Sequence, residues 1–98
     1  MKNEIVLNTK ENIIEIKFIR RTEKYRITNS EKRLLIYLAD NELHTKEELM
    51  KNIYGFYYEH STRLNTLIVR LRKDTNHNLM ITNRMGIGFK LEDEILFM

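Results

Sequence analysis

Residues 62–73, Thr62-Arg63-Leu64-Asn65-Thr66-Leu67-Ile68-Val69-Arg70-Leu71-Arg72-Lys73, constrain this chain more than any other stretch. At helical pitch Leu64, Leu67, Ile68 and Leu71 share one face, and Thr62, Thr66, Val69, Arg70 and Lys73 share the opposite one. No Gly or Pro interrupts the run. A helix of this kind needs a cover for its apolar face, and the remaining chain must supply it. With 98 residues in all, there is material for one core and not for two.

Two more helices announce themselves by their starts. Thr28-Asn29-Ser30-Glu31 has the capping-box pattern, in which the hydroxyl takes the N–H of Glu31 and the carboxylate reaches back to the N–H of Thr28. Leu34, Leu35 and Leu38 then form a buried stripe up to Ala39, and Asp40-Asn41-Glu42 breaks the helix. The pattern returns at Thr45-Lys46-Glu47-Glu48, ahead of Leu49, Met50 and Ile53. Gly55 ends that second helix in the left-handed region that other residues resist. Residues 56–60 make an aromatic loop, and Ser61 or Thr62 caps the third helix.

The ends of the chain read as strands. Residues 4–7 are β-prone and residues 8–12 turn-like, and Ile14, Ile16 and Phe18 alternate with Glu15 and Lys17. Residues 20–24 read as a polar turn, with Tyr25-Arg26-Ile27 pairing back as a third strand. Beyond the third helix, residues 80–91 hold two apolar runs meeting at a bend, where Gly86 and Gly88 serve the turn geometry. The expected fold is α+β, a winged helix-turn-helix over residues 1–98. Residues 1–27 form an N-terminal antiparallel sheet, 28–75 a core of three helices, 79–91 a C-terminal β-hairpin wing and 92–98 a tail. The tail ends in Ile95-Leu96-Phe97-Met98, which calls for packing against the sheet or for an oligomer contact.

Charge is unevenly placed. Arg63, Arg70, Arg72, Lys73, Arg84 and Lys90 face only Asp74 within residues 63–90, so a chain of net charge +3 carries a basic helix and a basic hairpin. That is a polyanion-meeting surface, and a helix plus a hairpin suits the grooves of double-stranded DNA. Zero cysteines exclude disulfides and thiolate metal sites. No apolar run is long enough to span a membrane, and Met1-Lys2-Asn3-Glu4 leads into no signal-peptide block, so the expected place is the cytoplasm, on the nucleoid. His44, His60 and His77 are scattered without metal-ligand spacing, and Gly86-Ile87-Gly88 is too short for a nucleotide loop. The expectation is no enzyme, no cofactor and no metal.

Four blocks carry a resemblance to a known family. They are Ile27-Thr28-Asn29-Ser30-Glu31-Lys32-Arg33-Leu34-Leu35, then residues 45–55 from Thr45 to Tyr54-Gly55, then Arg70-Leu71-Arg72-Lys73, then Gly86-Ile87-Gly88-Phe89. In this order and at these gaps the chain resembles the C-terminal effector domain of OmpR/PhoB-type response regulators. The resemblance implies transcription regulation by sequence-specific binding of double-stranded DNA, as head-to-tail pairs on direct repeats. The 98 residues hold no receiver-domain pattern ahead of the sheet. The resemblance thus implies either a stand-alone regulator set by its abundance or a partner, or the effector part of a longer one. Two departures stand out: Leu64-Asn65-Thr66-Leu67 replaces the family's usual Val-Asp-Val-His, and Met85 stands where relatives often place the wing arginine, with Arg84 one residue earlier.

Candidate contacts divide by type. Asn65, Thr66, Val69 and Arg70 are the base-reading candidates, because an Arg or Asn on the exposed face can meet base edges in a major groove. Thr62, Arg63, Arg72 and Lys73 are phosphate candidates, with Arg84 and Lys90 on the wing for the minor groove or flanking backbone. The resemblance assigns the loop of Tyr57, Tyr58 and Glu59 to RNA polymerase. The competing reading is a winged helix that keeps the fold but binds protein instead of DNA.

Overall fold

An apolar sheet face and the apolar faces of three helices close on one another in the computed structural model, which describes residues 3–98. Met1 and Lys2, part of the N-terminal stretch read above for a leader, lie outside the described residues. Strands β1 (Glu4–Asn8), β2 (Ile13–Lys17) and β3 (Thr22–Arg26) are antiparallel neighbours, with Ile5 opposite Ile16 and Ile14 opposite Tyr25. Alternation sends Ile5, Leu7, Ile14 and Ile16 to one face, where all four are fully buried.

One expectation about this sheet is corrected. The third strand starts at Thr22, so residues 22–24 are not turn; the reversal is tighter, closed by the Phe18 N–H on the Arg21 carbonyl at 2.7 Å. The period-2 pattern of β3 is carried by polar side chains: Lys24 faces Glu15 across the strands, and Tyr25 donates its hydroxyl to Glu23. Strands β1 to β3 are antiparallel, as expected of residues 1–27, and a parallel edge is added to them from the tail. The tail forms β7 (Ile95–Phe97), parallel to β1 with Ile5 opposite Ile95, giving the order β3-β2-β1-β7. Burial of Ile95 in the core draws it there, and the Met98 N–H adds a bond to the Leu7 carbonyl at 3.0 Å.

Both capping boxes are formed. Thr28 precedes α1 (Asn29–Leu38) and Thr45 precedes α2 (Lys46–Tyr54), each hydroxyl accepting from the N–H of Glu31 or Glu48 while that carboxylate accepts from the threonine's own N–H. Such a cap is worth about 0.5–2 kcal/mol. Gly55 closes α2 at φ 83°, as its position demands. The third helix, α3, runs Arg63–Asp74 and buries Leu64, Leu67, Ile68 and Leu71. Leu34, Leu35 and Leu38 of α1 and Leu49, Met50 and Ile53 of α2 join them in one core with the sheet.

The wing is more than a hairpin. Its strands β5 (Ile81–Arg84) and β6 (Gly88–Leu91) take a third, β4 (His44–Thr45), in the order β4-β6-β5. Gly88 is therefore needed for close approach and not for the turn: a Cβ there would lie 1.8 Å from the His44 carbonyl oxygen. Asn41, left-handed at φ 61°, ties the end of α1 to the wing base by donating Nδ2 to the Leu91 and Asp93 carbonyls at 2.8 and 2.6 Å.

Candidate nucleic-acid interface

The core contacts of α3 decide which of its residues face outward. With Leu64, Leu67, Ile68 and Leu71 locked inside, Asn65, Thr66, Val69, Arg70 and Lys73 are exposed. Val69 is 62% exposed, an aliphatic side chain presented to solvent between polar ones. Among the described residues no hydrogen bond or ion pair engages the side chains of Arg70, Lys73 or Arg84. The helix start is lightly tied: Thr62 makes no side-chain cap bond, and Ser61 Oγ accepts the Arg63 N–H at 3.2 Å instead.

Two hollows flank this face. One, of about 280 Å³, lies between α3 and the start of α1 and brings together Thr62, Arg63, Thr66 and Arg70 beside Tyr54. There the Arg63 guanidinium lies over the Tyr54 and Phe56 rings, 5.1 and 5.8 Å from their centroids, which restrains the side chain while its charge stays exposed. The other, of about 560 Å³, separates α3 from the wing and is lined by Asn65, Tyr57, Glu59, Lys46, Glu47 and Arg84 among others. Glu47 and Glu59 make that cleft mixed in charge. Arg63, Arg70 and Lys73 of α3 and Arg84 of the wing are the exposed cations beside it.

Two of the DNA-contact candidates, Arg72 and Lys90, are placed apart from this face. Arg72 is half-buried and donates Nη2 to the Ile81 carbonyl at 2.6 Å, joining α3 to the first wing strand. Lys90 lies in mid-strand at the wing base, 3.6 Å from Glu92. Tyr57 is half-buried against the core. Its neighbour Tyr58 is 61% exposed and meets His60 edge-on, and the exposed Glu59 has its carbonyl held by Lys46 Nζ at 3.2 Å.

Sequence reasoning missed Lys46, Asn83 and His44. Lys46 and Asn83 line the cleft, and the Lys46 N–H bonds the Ile87 carbonyl at 3.3 Å. His44 pairs its backbone with Phe89 and holds two carboxylates with its ring. The i, i+4 spacing of Asp40, His44 and Glu48 was the available signal, but across a helix break it does not read as a contact.

The arrangement of sheet, three helices and strand-backed wing is the fold of the DNA-binding domains of OmpR/PhoB-type response regulators. The crystal structure of the DNA-binding domain of response regulator AdeR, in complex with an intercistronic region, superposes with a TM-score of 0.73 at 19% identity, covering 95% of this chain and 98% of that one. The DNA-binding domain of CpxR from E. coli gives 0.69 at 19% identity, over 98% and 94% of the two chains. Response regulator SaeR of Staphylococcus aureus is 38% identical over 66 residues, 60% of this chain and 29% of SaeR, so the match spans under a third of that curated relative. No family model matches the chain.

Proposed function

We propose that this chain binds double-stranded DNA sequence-specifically to regulate transcription, with α3 in the major groove and the wing on adjacent backbone or minor groove. One observation carries the reading: α3 is held by four buried residues while Asn65, Thr66, Val69 and Arg70 stand free and exposed on its outer face. Arg70 and Asn65 supply bidentate hydrogen-bonding groups, and Val69 and the Thr66 methyl supply apolar contact for a thymine methyl. Thr62, Arg63 and Lys73 flank them as phosphate contacts, with Arg84 from the wing. AdeR, similar over nearly its whole domain, is in complex with an intercistronic region, which supports the same use here.

Arg72 and Lys90 act in this reading as structural groups, because each already has a partner within the chain. Tyr58 and Glu59 are the loop residues open to RNA polymerase. On direct repeats two copies bind head to tail, and the working place is the cytoplasmic nucleoid.

Selection from random duplex DNA at two salt concentrations tests the reading. A selected motif whose affinity falls with log salt at a slope of about −0.9 per phosphate contact supports it. Absence of duplex binding at low salt overturns it in favour of a protein-binding winged helix.

A further inference from the structure

The two edges of the four-stranded sheet are unlike. β3 closes one side with Glu23, Lys24 and Arg26, and charges of this kind keep an edge from pairing with another chain. β7 closes the other side with Ile95-Leu96-Phe97, which holds no charge and no proline and runs in unbroken register with β1. Leu96 is 48% exposed and Phe97 52%, so the apolar strand is open along its free side. The Met98 N–H on the Leu7 carbonyl sets the phase of the ladder. Alternate residues of a parallel strand turn their peptide groups to the neighbour, so Leu96 and Met98 bond towards β1. Ile95 and Phe97 therefore turn their N–H and C=O groups out of the sheet, and no loop among the described residues bonds them.

We propose that β7 pairs antiparallel with β7 of a second copy of this chain, about a two-fold axis at Leu96, joining the two sheets into one. Self-complementarity selects a second copy as the occupant. The outward groups at Ile95 and Phe97 lie symmetrically about Leu96, so Ile95 of each copy exchanges both bonds with Phe97 of the other. The same register sets Leu96 against Leu96 and Glu94 against Met98, so apolar side chains meet apolar ones and no charge opposes another. A slip of one residue opposes outward groups to inward ones, and a slip of two keeps half of the bonds. Strands this short bury less than the roughly 1,200 Å² of a standard interface, so the pair forms and parts with concentration. The contact is isologous, unlike a head-to-tail pair on direct repeats, and does not rest on the DNA-binding reading.

Sedimentation equilibrium without DNA, over a rising series of protein concentrations, tests the pairing in the whole chain. Wild type is expected to rise from the mass of one chain towards that of two. Phe97→Pro removes an outward N–H and spares the bonds to β1, so it is expected to stay monomeric. Leu96→Lys and Leu96→Glu change a side chain on the outer face of the sheet, beside Val6. Each sets like charges opposite one another across the axis and is expected to be monomeric alone. An equal mixture of L96K and L96E sets opposite charges there and is expected to restore the pair. Melting midpoints are checked first, and the restored mixture shows that both charge variants are folded. A wild type monomeric throughout the series overturns the proposal. So does a dimer that Phe97→Pro leaves intact, which places the contact on another face. Failure of the mixture to pair overturns the two-fold register at Leu96.

Discussion

His44 Nε2 lies 2.9 Å from both carboxylate oxygens of Asp40, while the Nδ1 of the same ring lies 3.0 Å from Glu48. The ring bridges the end of α1 and the start of α2, and the backbone at His44 pairs with Phe89 of the wing. Burial opposes charge on the ring, but the hydrogen bonds to Glu48 and Asp40 outweigh it and raise the His44 pKa above 6.5. Glu48, chiefly through His44, and Asp40, chiefly through the Glu42 N–H and then His44, are lowered.

These shifts define a pH window. A raised histidine pKa contributes stability that is complete below its unfolded value near 6.5 and is lost as pH rises through the folded value. Lowered carboxylate pKa values contribute above about pH 4–5 and are lost as pH falls through the folded values. Denaturant unfolding at a series of pH values is expected to show His44→Gln losing most relative to wild type between about pH 5 and 6.5, with the gap closing on either side. A gap constant from about pH 5 to 9 contradicts the charged bridge.

Glu31 is fully buried, and its Oε1 serves the Thr28 cap while Oε2 has no donor. Burial raises its pKa, and Asp74 adds to the rise. The stabilising neutral form is thus complete below about 4.5 and is lost as pH climbs through the raised value. Glu31→Gln keeps the acceptor for Thr28 and removes the charge, so it is expected to raise the melting midpoint at pH 7, with the gain fading in acid. Glu31→Ala forfeits the cap and is expected to cost about 1 kcal/mol.

Gly88→Ala places a methyl against the His44 carbonyl, where backbone faces backbone and neither can swing away. The expected loss is about 1–3 kcal/mol in denaturant unfolding. Gly86→Ala meets no neighbour and is strained only by its positive φ, so it is expected to cost less, about 1 kcal/mol. Equal losses contradict the crowding at Gly88.

Arg70→Ala is expected to cost about 1–3 kcal/mol of DNA affinity and to relax preference at one position of the selected site. A loss equal for all sequences makes Arg70 a phosphate contact.

Arg72→Ala removes the tie from α3 to the Ile81 carbonyl. It is expected to lower unfolding stability by about 1 kcal/mol or more while leaving the salt slope of DNA binding unchanged. Lys73→Ala, one residue on and exposed, is expected to do the reverse, lowering the slope by about 0.9 with the melting midpoint intact. Exchange of these outcomes reverses the division between the two.

Local physics made the helices legible. Capping boxes at Thr28 and Thr45, a glycine at residue 55 and the leucine spacing of α3 are contained within short windows, and each occurs in the structure as read. The outward residues of α3 follow from the same spacing, so Asn65, Thr66 and Arg70 could be named from the sequence. What depended on distant partners could not be read. The tail sits beside β1, some ninety positions earlier in the chain, because Ile95 finds burial there. A two-residue strand at His44 exists only because the wing passes against it. Arg72 and Lys73 are adjacent and alike in charge, yet one bonds the wing backbone and the other meets solvent. Sequence periodicity assigns a side chain to a face of its own helix, whereas the polar groups it reaches are set by how separate elements pack.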